Sequence, residues 1–326
     1  MKIFLAAFFT FSFAAVVAQN RAAQGISMIL DTDIGPDYDD AGAMAIMHAL
    51  ADKGEVNPLA VIASNKNELV APTIEILNTY FGRPELPIGA PKGQAPSYGA
   101  TQKWPEMLLE KYPHKIARTS DVPDAVETYR KILSKQPDHT VTIVTIGFLT
   151  NLAKLMESGP DQISGLSGMD LIRKKVTQLV SMAGKFPEGR EYNVYADSVA
   201  SEKVFSSWPT PVLFSGFEIG EKIKTGKRLL ANESLNSPVK DIYAKAMPFS
   251  KNDENGRMSW DQTAVLVAAR GTRPYFGLRR GKMIVEGGNN KWQEDPMGPH
   301  AYLLSDMSAE QITMIIESLM MWEGRK

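Results

Sequence analysis

Five aspartates, Asp31, Asp33, Asp37, Asp39 and Asp40, fall within ten residues of the stretch SMILDTDIGPDYDDAGAMAIMHAL, positions 27–50. Carboxylates this crowded repel one another. A hard, oxygen-seeking cation such as Ca²⁺ or Mg²⁺ would relieve that repulsion. A turn with an N-capping aspartate accounts for one carboxylate of the five. The apolar run Met28–Leu30 ends abruptly at Asp31, and from Ala41 the sequence is small and apolar again. It reads as a short buried strand, an acidic loop and a helix. In open α/β sheets ligands bind at the carboxyl ends of strands, which is where this loop sits.

The rest of the chain repeats that alternation. Strands are expected at 58–63, 86–88, 140–146 (TVTIVTI), 175–182 and 211–217, with helices at 41–51, 68–81, 124–133, 150–157, 197–206, 231–248 and 259–270. A hairpin is expected around Met283–Val285 and Trp292. Ser308 and Gln311 form a capping box ahead of the stripe Ile312, Ile315, Ile316 and Leu319. Residues 90–119, rich in Pro, Gly and Tyr, read as a long irregular excursion, and Tyr98 and Trp104 in it could cover a ligand or pack the loop. The pattern implies an α/β fold: a single domain, residues 25–326, with an open, mostly parallel, Rossmann-like sheet flanked by helices.

Composition narrows the function classes. The 326 residues carry a net charge of −1, which gives nucleic acid or an anionic membrane no footprint. With no cysteine and four histidines, the chain offers little to zinc or iron. Residues 1–18, MKIFLAAFFTFSFAAVVA, have the charged start, apolar body and small-residue end of a secretory signal peptide. A periplasmic or secreted protein, free of the membrane once the signal is cleaved, is therefore expected.

Several predicted strand ends carry polar groups suited to one site. They are the aspartates of the first strand, Asn65 after the second, Thr145 in TVTIVTI, and Glu191 and Asn193 after the strand at 175–182. Asp261 opens a helix directly after Trp260. In a parallel sheet these ends lie along one edge.

DTDIGPDYDDAGA resembles the N-terminal aspartate motif of the inosine-uridine-preferring nucleoside hydrolases. The resemblance continues through VTIVTIGFLTNLA, AGKFPEGREYNVYADSVA and SWDQTAVLVA, and so covers most of the chain after residue 25. It implies a tightly bound Ca²⁺ held by the side chains of Asp33, Asp40 and Asp261 and the backbone oxygen of Thr145. It implies Asp39 as the general base, and Asn65, Glu191 and Asn193 as contacts to the sugar hydroxyls. The implied reaction is hydrolysis of the N-glycosidic bond of a small-molecule ribonucleoside, in a homodimer or homotetramer. The chemistry is coherent with these roles, because the bond breaks through an oxocarbenium-like transition state and a carboxylate beside calcium can take a proton from water.

Two departures from the family pattern stand out. Gly35-Pro36-Asp37-Tyr38-Asp39-Asp40 is two residues longer between the glycine and the aspartate pair than the common motif. Aligned from the helix side, Asp39 is the base and Asp40 a ligand. Aligned from the strand side, Asp37 is the base and Tyr38, a poor calcium ligand, takes a ligand position. The helix-side register keeps an oxygen donor at every position. The second departure is Trp260, where many members place a histidine that protonates the leaving base. Tryptophan resembles the purine-preferring members, in which stacking assists departure, and could equally be a buried aromatic wall.

Two other readings compete. Asp31-Thr32-Asp33 after a strand also suggests a haloacid-dehalogenase-type phosphohydrolase, although Gly35 stands where that motif wants Thr or Val. A non-catalytic periplasmic nucleoside- or sugar-binding protein would keep the same calcium site without turnover.

Overall fold

The computed structural model describes residues 25–324. The expected signal peptide, residues 1–18, lies outside them. Among the described residues there are twelve strands: β1 Ile26–Thr32, β2 Val56–Ala63, β3 Ile88–Gly89, β4 Val141–Thr145, β5 Val176–Met182, β6 Glu188–Gly189, β7 Val212–Ser215, β8 Lys224–Thr225, β9 Arg257–Met258, β10 Phe276–Glu286, β11 Asn289–Glu294 and β12 His300–Ser305. Ten form one sheet in the order β3-β2-β1-β4-β5-β7-β12-β10-β11-β6, and β8 and β9 form a separate ribbon. From β3 to β12 every pairing is parallel, and β10, β11 and β6 add an antiparallel flank. The sheet is thus mostly parallel, with helices on both faces.

The central strands are buried on both sides, and their apolar residues divide between two cores. Met28 and Leu30 of β1 face one, and Ile29 between them faces the other. That is the two-residue period of a strand covered on both faces. The Asp39–Asp52 helix, small and apolar throughout, packs in the first core against the Trp260–Arg270 helix. Gly42 lies in this contact, where a Cβ would come 2.5 Å from Gln262 Nε2 and 2.9 Å from the Tyr243 hydroxyl.

The excursion at 90–119 is more ordered than its composition suggests. It contains the Trp104–Lys111 helix, and Trp104 is fully buried in the first core rather than poised above a ligand. Strand β12 was not expected. It enters between β7 and β10 and converts the hairpin into an extension of the main sheet. The expected capping box forms, with Ser308 and Gln311 each bonded to the other's backbone.

Candidate active site

Most of the acidic loop turns inward, with the Asp37 side chain left half-exposed. Asp33, Asp39 and Asp40 are all buried, as is Asp261. Asp39 and Asp40 occupy the first turn of their helix, where the helix dipole favours negative charge. Asp261 occupies the first turn of the Trp260–Arg270 helix, so two helix starts meet at the carboxyl edge of the sheet. Carboxylate oxygens of Asp39, Asp40 and Asp261 lie within 4.8 Å of one another.

The same edge closes a cavity of about 290 Å³, close to the lower end of the ~300–1,000 Å³ usual for small-molecule sites. Asp33, Asp37, Asp39, Asp40, Glu191, Asn193, Trp260 and Asp261 all line it. Seven of the nine residues expected at the site are therefore brought together, and Asp37 joins them. Asn65 and Thr145 are not part of the wall. The Asn65 side chain is saturated: it donates to the Asp33 carbonyl (3.1 Å) and the Tyr98 carbonyl (2.8 Å), and it accepts from the amides of Asn67 and Tyr98. It braces the acidic loop from behind. Thr145 is fully buried within the sheet, paired in register with Asp31 on one side and Ser181 on the other. The next residue, Ile146, borders the cavity.

Each carboxylate has a distinct environment. Asp31 is turned away from the cavity: its Oδ2 accepts from the Tyr129 hydroxyl (2.8 Å) and Asn151 Nδ2 (3.2 Å), and burial pushes its pKa up to about 7. It is a brace and does not reach the cavity, which removes the nucleophile that a phosphohydrolase reading needs. Asp40 accepts from the Thr32 hydroxyl. Burial, followed by the neighbouring carboxylates, raises the pKa values of Asp33, Asp40 and Asp261 well above the ordinary carboxylate range. Among the described residues no lysine or arginine pairs with these three. The cationic group in the wall, Arg257 on β9, goes to Asp39 and Asp37 instead.

The donor set fits a hard divalent cation. Three buried carboxylates without a cationic partner, beside a backbone carbonyl edge, are the oxygen ligands that calcium or magnesium takes, and no histidine or cysteine lines the cavity.

Beyond the acids, Glu191 caps the short Tyr192–Ala196 helix, accepting from the amides of Asn193 (2.9 Å), Val194 (3.2 Å) and Gly184 (3.1 Å). Burial raises its pKa to about 7. Asn193 donates to the Met182 carbonyl at 3.2 Å. The Trp260 ring stands 5.2 Å from Phe217, tilted by 32°, and its indole N–H donates to the Phe217 carbonyl at 2.9 Å. Arg257, Phe217, Met182 and Ile146 were not expected from the sequence. Arg257 is 218 residues from Asp39, and no spacing rule connects them. The glycine after Ile146 was the available signal: a Cβ on Gly147 would lie 2.6 Å from Asp33, so the end of β4 must touch the acidic loop.

Comparison with known proteins agrees with this geometry. Residues 28–311 match the family model described as inosine-uridine preferring nucleoside hydrolase. A pyrimidine-specific ribonucleoside hydrolase, RihA, of Salmonella arizonae is 27% identical over 245 residues, covering 69% of this chain and 71% of that protein. An uncharacterised protein of Schizosaccharomyces pombe is 27% identical over 251 residues, covering 72% and 76%. Among solved structures, a purine-preferring ribonucleoside hydrolase from Gardnerella vaginalis superposes with a TM-score of 0.70 at 17% identity, covering 90% of this chain and 98% of that one. A match that spans the acidic loop, the sheet edge and the Trp260–Asp261 helix start covers every element of the cavity. The chain belongs to the inosine-uridine preferring nucleoside hydrolase family.

Proposed function

We propose that this protein is a calcium-dependent N-ribohydrolase that cleaves the N-glycosidic bond of ribonucleosides, purines in preference, and releases nucleobase and ribose. The observation that carries the reading is the set of three buried carboxylates, Asp33, Asp40 and Asp261, lacking a cationic partner and sharing a cavity with Glu191 and Asn193. These three would hold the ion, with a backbone carbonyl at the end of β4. Cavity placement favours Ile146 over Thr145 for that carbonyl. Bound calcium supplies charge neutralisation and two coordination positions for a vicinal diol, which selects ribose-like sugars.

The chain's own groups then divide the work. The helix-side alignment makes Asp39 the proton acceptor, but the geometry favours Asp33. Asp39 Oδ1 already accepts two guanidinium N–H bonds from Arg257, at 2.8 and 3.1 Å, and an arginine-paired carboxylate is a weaker base. Asp33 has no arginine partner and lines the cavity, so one of its oxygens can hold the ion while the other takes the proton. Asp39 is then an anchor at the meeting point of two helices. Glu191 and Asn193 hold the sugar hydroxyls against an oxocarbenium-like transition state. Trp260 cannot donate its N–H, which Phe217 already occupies. Its ring can stack on a base, and the larger purine surface gains more from that contact. Relatives are named for pyrimidine and for purine substrates alike, so the purine preference rests on this aromatic wall. The leader-like residues 1–18 support a location outside the cytoplasm.

The test is direct. Calcium-loaded protein incubated with inosine, adenosine, guanosine and uridine should release base and reducing sugar in equal amounts, the purine nucleosides fastest. Release from none of the four, with calcium confirmed bound, overturns the reading. Tight nucleoside binding in that case identifies a non-catalytic binder.

A further inference from the structure

The two extra residues of the acidic loop have a partner. Asp37 and Asp39 converge on one guanidinium: Arg257 Nη2 is 2.6 Å from Asp37 Oδ1 and 2.8 Å from Asp39 Oδ1, with Nε donating to the same Asp39 oxygen at 3.1 Å. The guanidinium carbon lies 4.9 Å from the centre of the Tyr38 ring and 5.0 Å from that of Trp260, so the cation is within cation–π range of both an inserted residue and the aromatic wall. The Tyr38 hydroxyl donates to buried Asp253 at 2.7 Å, and Asp253 stands 3.9 Å from Arg257 Nη1. The other oxygen of Asp39 accepts from the amides of Trp260 (3.2 Å) and Asp261 (3.4 Å). Both Asp39 oxygens are therefore taken, although distance alone groups Asp39 with Asp40 and Asp261 as ligands.

We propose that Arg257 is a positioning residue that sorts the carboxylates of the site. It withdraws Asp39 and Asp37 into an arginine-paired set and leaves Asp33, Asp40 and Asp261 for the divalent cation. Because the same guanidinium lies against the Tyr38 and Trp260 rings, it also fixes the aromatic wall relative to the metal ligands. This inference rests on the calcium reading above and extends it to a residue outside the family motif. A fork of five N–H donors can span two carboxylates while stacking on rings, which lysine cannot do.

The consequence has a sign opposite to that of a merely structural arginine. Loss of the guanidinium frees Asp39 to face the cation and removes a repelling positive charge, so calcium binding becomes tighter. Loss of a structural brace would loosen it. Calcium titrated calorimetrically into the full chain at neutral pH reads the difference. Arg257→Gln is expected to tighten calcium binding about tenfold or more, and Asp39→Asn, which strands the arginine charge, to weaken it by about as much. The double variant Asp39→Asn/Arg257→Gln removes a neutral pair and is expected to return within about threefold of wild type. Asp40→Asn, which removes a ligand, is expected to weaken binding about 100-fold.

Weaker binding in Arg257→Gln, or a double variant as weak as Asp39→Asn alone, overturns the proposal. If Arg257→Gln does not fold, Arg257→Lys decides: the ammonium keeps the charge, so binding should stay within about threefold of wild type and become insensitive to Asp37→Asn. A larger loss, or a persistent effect of Asp37→Asn, overturns it. Wild-type protein that binds no calcium refutes the metal reading itself. Wild-type binding with the wrong variant order refutes only the sorting role.

Discussion

Gly147 and Asp33 touch: a Cβ on Gly147 would lie 2.6 Å from the Asp33 amide nitrogen, Cβ and Oδ1. The end of β4 therefore sets the position of a carboxylate that the proposed chemistry needs. Backbone cannot yield as a flexible side chain can, so Gly147→Ala should cost about 1–3 kcal/mol of stability, the usual range for overpacking. It should also displace Asp33 and weaken calcium binding. Gly159→Ala, with open space around its Cβ, is the control and should be near neutral. Thermal melts with and without calcium check both. Equal behaviour of the two variants would mean that the contact does not position Asp33.

Proton transfer should separate Asp33 from Asp39. At saturating calcium, Asp33→Asn should lower kcat by about 10²–10⁴-fold, the contribution of a positioned general base. Asp39→Asn should fall short of that range and act mainly through metal affinity. Single-turnover rates, normalised to measured metal content, distinguish the two. The reverse order would return the base role to Asp39.

Much of this site was legible in the sequence, for reasons that particular residues make plain. Asp33, Asp40, Glu191, Asn193 and Asp261 follow apolar runs or open helices, and parallel strands bring such ends to one edge. The Asp39–Asp52 helix and β4 have strong local signals and lie within two residues of their expected bounds. Arg257 was not legible because its pairing with Asp39 is tertiary, and its own segment, a two-residue strand, has no period to read. Ile146 borders the cavity and Thr145 before it does not, a one-residue distinction at the end of a strand that motif spacing cannot make. The sequence leaves Trp104 either covering a ligand or packing its Pro- and Gly-rich loop, and its helix buries the ring completely, which is the packing role. Strand β12, HAYLLS, is a short run that opens on a buried histidine, His300, so neither its length nor its alternation marks it as a strand.

Calcium removal should destabilise the protein more at pH 8 than at pH 5. Folded-state pKa values of Asp33, Asp40 and Asp261 are raised, so without metal these groups are protonated and tolerated at low pH. As pH rises through the folded values they must ionise, and metal-free stability is lost. Calcium binds the ionised forms, so its stabilisation grows with pH and reaches about 2.7 kcal/mol at 100 Kd of free ion. Melting temperature measured with calcium and with chelator at the two pH values reads this directly. A calcium effect independent of pH would show that these carboxylates are not the ligands.

Two buried histidines should contribute an acid-side loss of stability. His48 stacks on Phe81 and bonds Asn78 at 3.0 Å, and burial lowers its pKa to about 3; His300 accepts from the Met283 amide, and burial lowers its pKa to about 4. Their unfolded value is 6.5, so between pH 6.5 and 4 the unfolded chain takes up protons that the fold refuses. Stability from these groups is complete above pH 6.5 and declines as pH falls, by up to about 1.4 kcal/mol per unit for each group. The raised carboxylates act with the opposite sign, so the histidine term is isolated as wild type minus His300→Gln. Urea midpoints of the two proteins should converge toward acid pH, and parallel curves would contradict the assignment.

Nucleoside hydrolysis by this protein should require the cation that Asp33, Asp40 and Asp261, the carboxylates without a cationic partner, would hold. The initial rate of hypoxanthine release from inosine, measured on one preparation before chelation, after removal of calcium and after calcium is restored, tests it most directly. Release is expected in the first state, its loss in the second and its recovery in the third, with one ribose formed per hypoxanthine. A rate unchanged by stripping, or no release from the calcium-restored protein, would contradict it.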